Sequence, residues 1–320
     1  MINLLELEPQ KISKDLTGKY SLIYGAPGCG KTTFASKIKN SLIMGFERGT
    51  NGLNNVFVAP VKTWREWKQF CNQLIREDKL KERFNVIVID TIDEAYKLCE
   101  RWLCQEHGAE AIKDVAAYGQ GYRMLDEEFM TPFRNLAFAG YGLTFISHET
   151  DKEMVNDKGE TYNKIIPAIP SRAFNLINKF VDIIGYIRDI TVEENEKKTH
   201  KRYMFFRSDD RFLTKSRFKY ITPTIELDYN KFVDALYEAI DKEVENSGGE
   251  ATDEVNPYNV RSFEELMDEA KDIWIKADAE KKEQVKTLLQ EEFGKPIKFS
   301  EILPEQRDKL EAVLTKLITD

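Results

Sequence analysis

The sequence predicts an α/β fold, with a mainly parallel sheet carrying helices on both faces and a small helical module at the C-terminus. Three segments carry that prediction. Residues 19–24 form a short apolar run that ends in a glycine-rich turn and continues into a helical stretch. Residues 85–90 are apolar almost throughout, as a strand covered on both faces should be. Residues 143–147 repeat that texture after an interval long enough for helices, and strands separated in this way imply crossover connections and parallel pairing.

The remaining elements follow from periodicity and breakers. The stretch after the glycine turn reads as a helix over residues 31–39, and residues 41–46 and 55–59 read as the next strands. Trp64, Trp67, Phe70, Cys71, Leu74 and Ile75 recur at helical spacing, an aromatic stripe that reads as core packing rather than a ligand platform. Shorter strands are predicted over 181–190, 202–207 and 211–214, so that hairpins extend one edge of the sheet. Residues 229–244 read as a helix with Phe232, Leu236, Tyr237 and Ile240 on one face. The predicted organisation is a body over 1–246, a flexible linker over 247–258 and a helical module over 259–320, opened by Ser262 as N-cap ahead of Glu264 and Glu265. No internal repeat is evident.

A chain of 320 residues can bury a sizeable core. No apolar run is long enough to span a bilayer, and the N-terminus lacks the basic start and long apolar stretch of a signal peptide. A cytoplasmic location without a membrane partner is the expectation; for a phage protein that is the host cell cytoplasm. Cys29, Cys71, Cys99 and Cys104 form no CxxC pair and have no partnered His spacing, which argues against zinc or a disulfide framework. The net charge is −8, but from Ser247 onward 11 Lys and Arg face 18 Asp and Glu, so the tail holds −7 of it. The body is nearly neutral and free to carry local basic patches.

Gly25-Ala26-Pro27-Gly28-Cys29-Gly30-Lys31-Thr32 satisfies G-x-x-x-x-G-K-[ST] between an apolar strand and a helix, which predicts a phosphate-binding loop for ATP with Mg2+. Glycines let successive backbone N–H groups face the phosphates, and the following helix, with Thr33 in its first turn, turns its positive end toward them. Lys31 reaches the outer phosphates and the Thr32 hydroxyl joins the metal shell. Asp90, at the tip of the 86–89 strand, is placed to reach the metal from across the site. Activation of water has competing candidates: Glu47 beyond the 41–46 strand, and Asp93 or Glu94 after Asp90. Glu47 is favoured on the expectation that its strand neighbours the loop strand, whereas Asp93 and Glu94 suit a helix start.

This set of motifs resembles the RecA-like P-loop ATPases, and specifically the phage ATPases of the Sak-four type associated with single-strand annealing and recombination. The resemblance rests on residues 25–33, the Phe46-Glu47-Arg48-Gly49-Thr50 strand end, residues 86–91, Phe145-Ile146-Ser147-His148 and Thr214-Lys215-Ser216-Arg217-Phe218, and it covers roughly the first three quarters of the chain. It implies a catalytic glutamate at Glu47 and a γ-phosphate sensor at His148, where the family commonly has glutamine. It also implies that Lys215 and Arg217 reach a neighbouring subunit's site within a ring or filament; a solvated basic strand edge has the same composition.

Single-stranded DNA is the partner the resemblance implies, through loops facing the assembly axis. The region between Cys104 and Phe129, with Tyr118 to Arg123, is one candidate. The segment after His148, carrying Lys152, Lys158, Tyr162, Lys164 and Arg172, is the other. An ordinary surface hairpin would have the same composition. Two functional classes remain: a DNA-dependent ATPase of recombination or annealing, and a replication motor, helicase or helicase loader. The acidic helical module is the part that would dock a single-strand-binding protein, or serve only to solubilise.

Overall fold

The computed structural model describes residues 12–14, 19–50, 52–156, 158–194, 197–252, 263–303 and 306–319. A two-residue strand, β1 (Ile12–Ser13), precedes the loop strand β2 (Tyr20–Gly25), followed by α1 (Lys31–Ala35), β3 (Ser41–Gly45) and β4 (Val58–Pro60). Helix α2 (Trp64–Arg76) starts where Thr63 caps it: the Thr63 hydroxyl accepts from the Glu66 N–H at 3.1 Å, and the Glu66 carboxylate accepts from the Lys62 N–H at 2.8 Å. After α3 (Asp78–Arg83) come β5 (Val86–Asp90), α4 (Ile92–Glu106), α5 (Ile112–Val115) and α6 (Gln120–Phe138). The long β6 (Gly142–Val155) folds back as β7 (Thr161–Pro167), then α7 (Ser171–Phe180) leads to the hairpin of β8 (Ile183–Glu194) and β9 (Lys197–Phe205). Short strands β10 (Lys215–Ser216) and β11 (Thr224–Glu226) precede α8 (Tyr229–Ser247) and β12 (Ala251–Thr252). Helices α9 (Phe263–Lys276), α10 (Ala279–Phe293) and α11 (Arg307–Thr319) complete the chain.

The main sheet has the order β11-β9-β8-β2-β6-β5-β3-β4. All pairs from β8 to β4 are parallel, and β9 and β11 add an antiparallel edge beside β8. Parallel pairing demands cover on both faces, and β5 is buried at every residue. One face packs against α2, α4 and α6 through Trp64, Trp67, Phe129, Phe133 and Phe145. The other meets α1 and α8 through Phe34, Ile187, Met204, Phe232 and Leu236. Each such fully buried side chain contributes on the order of 1.5–3 kcal/mol, so both faces hold the strand tips firmly. The C-terminal helices enclose a core of their own, with Leu266, Val285, Leu289, Leu310 and Leu314 buried in it.

Several boundaries differ from expectation, each for a local reason. Helix α1 stops at Ala35 rather than at residue 39, because the chain tightens into turns and Asn40 (φ 51°) swings it into β3. Asn55 (φ 59°) likewise delays β4 to Val58. The strand expected over 211–214 is displaced to Lys215–Ser216, since Asp209 Oδ1 accepts from the Arg211 and Phe212 N–H groups and curls that segment into a turn. Tyr237 is exposed while Phe232, Leu236 and Ile240 are buried, because one residue past Leu236 turns about 100° around the helix, away from the face those three share. Within the segment expected to be linker, Ser247 still belongs to α8, Gly248 caps it with φ 69°, and Ala251–Thr252 pairs with β1. The rest of that linker, 253–258, and the predicted N-cap Ser262 lie outside the described residues. Among the described residues no helix is long and apolar enough to cross a membrane.

Candidate nucleotide site

The loop from Gly25 to Thr32 leaves the sheet at the carboxyl end of β2. Gly25 has no room for a side chain: a Cβ there would lie 2.5 Å from the Ile187 carbonyl oxygen and 2.8 Å from Cys29 Sγ. Gly28 (φ 78°) and Gly30 (φ 101°) take left-handed conformations that curl the backbone, and Pro27 and Gly28 form its exposed tip. Cys29 is buried beneath the loop, and burial pushes its thiol pKa up against the opposing pull of Lys31. Lys31 is only 6 % exposed; its Nζ donates to the Gly25 and Ala26 carbonyls at 2.8 Å each, which holds the ammonium under the loop. Because α1 is five residues long, its dipole adds little more than one turn, so the curled loop itself supplies most of the donor array. Thr33 is exposed on the first turn of α1.

The acidic side of the site is assembled differently from the expectation. The strand carrying Glu47 does not neighbour the loop strand, because β6 and β5 stand between β2 and β3. The chain compensates by bending back after β3, where the Phe46 and Glu47 N–H groups both donate to the Asp90 carbonyl at 2.7 and 3.3 Å. Asp90 Oδ2 in turn accepts from the Thr32 hydroxyl at 2.8 Å. His148, paired in register with Gly25, places Nε2 3.2 Å from Glu47 Oε2; with its proton on Nε2, the imidazole donates to the carboxylate. Asp93 is buried at the start of α4, whereas Glu94 turns outward to pair with Lys97 at 2.6 Å. Of the competing carboxylates, Glu47 and Asp93 therefore stay with the cluster and Glu94 leaves it.

Burial raises the pKa of Asp90, opposed by the Thr32 hydrogen bond and reinforced by Glu47. Burial also raises Asp93, with His148 opposing. Asp90 is 1 % exposed and its Oδ1 has no hydrogen-bond partner, a costly arrangement unless a cation is meant to meet it. On the side of the other Asp90 oxygen, Gly49 leaves space: a Cβ there would stand 3.6 Å from Glu47 Oε1, 3.8 Å from Asp90 Oδ2 and 3.9 Å from Thr32 Oγ1. Three oxygens around a gap that a side chain would fill suit a hard cation. Among the described residues no three or more His, Cys, Asp and Glu side chains form a metal cage. Mg2+ takes few protein ligands and completes its shell with water and phosphate oxygens, so one carboxylate and one hydroxyl suit it. The residues present thus fit Mg2+ with ATP.

The other predicted residues lie elsewhere. Lys215 and Arg217 are at the opposite end of the sheet, beside Ile183 and Asp182, and the Asp182 N–H donates to the Tyr20 carbonyl at the start of β2. That is roughly 16 Å, five strand residues, from the loop of their own chain. Only Lys215–Ser216 is strand; Lys215 Nζ donates to the Asn178 and Val181 carbonyls, and Arg217 binds Asp182 Oδ1 and the Lys179 carbonyl at 2.8 Å each. Burial, with Arg217 adding to it, lowers the pKa of Lys215.

Lys152 and Lys164 stand directly opposite each other across the β6–β7 hairpin, as do Met154 and Tyr162, so the four share one face. Asp151 and Glu153 alternate onto the other. Lys158 sits in the turn, where its N–H donates to Asn156 Oδ1 at 3.0 Å. Arg172 is on α7, not on the hairpin, and pairs with Asp126 at 2.6 Å.

Two residues have roles that no sequence signal assigned. Gly49 counted only as part of the Phe46-to-Thr50 strand end, and its lack of a side chain is what opens the gap beside Glu47. Tyr24 looks like an ordinary core strand residue, yet its hydroxyl donates toward the Leu213 carbonyl at 2.6 Å and the Ile165 carbonyl at 3.2 Å, and accepts from the Leu213 N–H at 3.1 Å. No sequence pattern announces such a partner set.

A family described as AAA domain matches residues 17–218, the segment that holds the loop, Glu47, Asp90, His148 and the β6–β7 hairpin. The SPbeta prophage-derived uncharacterized protein YorG of Bacillus subtilis (strain 168) is 26 % identical over 324 residues, which cover 99 % of this chain and 98 % of that protein.

Proposed function

The chain belongs to the AAA domain family, and on that premise we propose that it hydrolyses ATP with Mg2+ while acting on single-stranded DNA in recombination or annealing, with active sites completed between subunits. The observation that carries the ATPase reading is the convergence of Thr32, Asp90 and Glu47 on the gap at Gly49, with His148 against the other oxygen of Glu47. Bound Mg2+ supplies charge that neutralises the developing negative phosphate oxygens. Thr32 and Asp90 would hold it. Lys31 neutralises the outer phosphates. Glu47 accepts a proton from the attacking water as its oxygen bonds to the γ-phosphorus and the bond to the β–γ bridging oxygen breaks, giving ADP and phosphate. His148 orients Glu47 through the 3.2 Å contact.

The DNA reading is supported by the hairpin. Lys152, Lys164 and Tyr162 share one face, which suits a phosphate backbone and one stacked base. The hairpin also grows from the same strand as His148, so the nucleotide site and the hairpin are continuous through β6. The resemblance to the Sak-four phage ATPases and the similarity to a prophage-derived protein support a role in phage DNA metabolism. Lys215 and Arg217 are far from their own loop and engaged within their own subunit, so serving a neighbouring one would require the half-exposed Arg217 to exchange Asp182 and the Lys179 carbonyl for that neighbour's nucleotide. The C-terminal module would dock a single-strand-binding protein in the cleft formed by Trp274, Leu289, Ile297 and Phe299.

Measuring ATP turnover with and without single-stranded DNA, across protein concentrations that span self-assembly, tests the proposal. Stimulation by DNA that grows with assembly supports it. Turnover indifferent to both contradicts the DNA and inter-subunit parts, while unwinding of duplex DNA would favour a replication motor.

A further inference from the structure

On the far side of the loop from Glu47 and Asp90, the β8–β9 hairpin runs past the nucleotide site. Asp189 and Arg202 are opposite each other on it, two residues beyond the point where Ile187 pairs with Gly25. Alternation places both on the sheet face that α1 covers, together with Ile187 and Met204. Arg202 Nε donates to Asp189 Oδ1 at 3.1 Å, and the two side chains are 49 % and 50 % exposed. Arg202 Nη1 faces the loop itself: a Cβ on Gly30 would lie 3.1 Å from it, and 3.2 Å from Leu227 Cδ2. The arginine backbone is fixed there, because its carbonyl accepts from the Leu227 N–H at 2.8 Å.

The polarity of the site says which part of a nucleotide this guanidinium would meet. Thr32 and Asp90 are the residues that would hold the metal beside the outer phosphates, which puts the outer phosphate on the β6–β5–β3 side of the loop. The inner phosphate must then run along the loop toward Gly30 and the β8–β9 side. A planar guanidinium with one N–H already engaged and the Nη1 side turned to the loop suits a phosphate oxygen there. Its exposed pairing with Asp189 is of the weak kind that an α-phosphate oxygen can displace.

Resting on the nucleotide-site reading above, we propose that Arg202 is a binding residue for the α-phosphate of the nucleotide held by its own subunit, and that it exchanges Asp189 for that phosphate on binding. The exchange makes Asp189 an internal competitor that keeps the guanidinium in place without committing it. Because the contact is to the inner phosphate, it does not distinguish ATP from ADP, and it is separate from the water-activating cluster.

Isothermal titration of Mg-ATP and Mg-ADP into wild-type protein, Arg202→Ala, Arg202→Lys, Asp189→Asn and Lys31→Ala tests this, with circular dichroism confirming the fold of each. The expected result is a weakening of about tenfold or more for both nucleotides in Arg202→Ala, partial recovery in Arg202→Lys, and binding at least as tight as wild type in Asp189→Asn. Arg202→Ala binding both nucleotides like wild type, while Lys31→Ala fails to bind, overturns the inference and leaves the nucleotide site standing. Weakening of ATP alone also overturns it, by moving the contact to the outer phosphate. An Asp189→Asn loss matching that of Arg202→Ala overturns it too, by making the pair structural. Failure of the wild-type protein to bind either nucleotide would remove the underlying reading instead.

Discussion

The Thr32 hydroxyl donates to Asp90 Oδ2 at 2.8 Å, joining the end of the phosphate loop to a strand tip 58 residues away and two strands across the sheet. Only one carboxylate oxygen is satisfied; Oδ1 is buried without a partner. Asp90 is thus held at a cost to the fold, as a residue kept for a cation would be.

Replacing Asp90 by Asn should therefore stabilise the protein in chelator by about 1–2 kcal/mol, since the amide keeps an acceptor for Thr32 and sheds the buried charge. Burial raises the folded pKa of Asp90 above its ordinary value of about 3.9. Its contribution is then fully favourable below that ordinary value and is lost as pH rises through the raised folded one. Melting curves in chelator should show wild type losing stability across that interval and Asp90→Asn losing less. Added Mg-ATP should raise the melting temperature of wild type but not of the variant. A destabilised Asp90→Asn protein would argue against a metal role.

Tyr24→Phe should cost about 1–3 kcal/mol, because the buried hydroxyl serves the Ile165 and Leu213 carbonyls and the Leu213 N–H at once. Hydrogen exchange should quicken first at the base of β7 and around Leu213, where these links end. Uniform loss of protection across the sheet would mean that Tyr24 acts only as core filling.

Much of this fold was legible because the signals are local. The buried run at β5, the helical stripe of Trp64, Trp67, Cys71 and Leu74, and the loop between β2 and α1 each declare themselves within a few residues. Sheet order does not. Nothing between Gly25 and Gly142 announces that β6 will insert beside β2, so Glu47 reaches the cluster by a backbone bend rather than by being next door. Lys215 and Arg217 were visible as a charged pair, but their carbonyl and Asp182 partners on and after α7 come from the tertiary fold. Asn40, Asn55 and Asp209 shifted element boundaries through side-chain and left-handed backbone chemistry that hydrophobic periodicity does not register.

Arg217→Ala separates a structural arginine from one that serves a neighbour. Its pairing with Asp182 is partly exposed, so removal should cost no more than about 1 kcal/mol of stability. Nucleotide binding by isolated subunits should be unchanged, and turnover by the assembled form should collapse. Normal turnover at concentrations where wild type assembles would place Arg217 outside catalysis.

The double change Lys152→Ala with Lys164→Ala removes the paired cations from one hairpin face. Single-strand affinity should fall, and the slope of log affinity against log salt should shrink by about 1.4, two phosphate contacts at roughly 0.7 each. ATP affinity without DNA should not move. An unchanged salt slope would take the hairpin out of the DNA path.

The most direct test of the central claim is ATP binding and turnover by Glu47→Gln, which preserves the shape of the side chain and removes its capacity to take a proton from water. Mg-ATP should bind with wild-type affinity while turnover falls by a factor on the order of 100 or more. Turnover at the wild-type rate with normal binding would contradict the assignment of this cluster as the hydrolytic site.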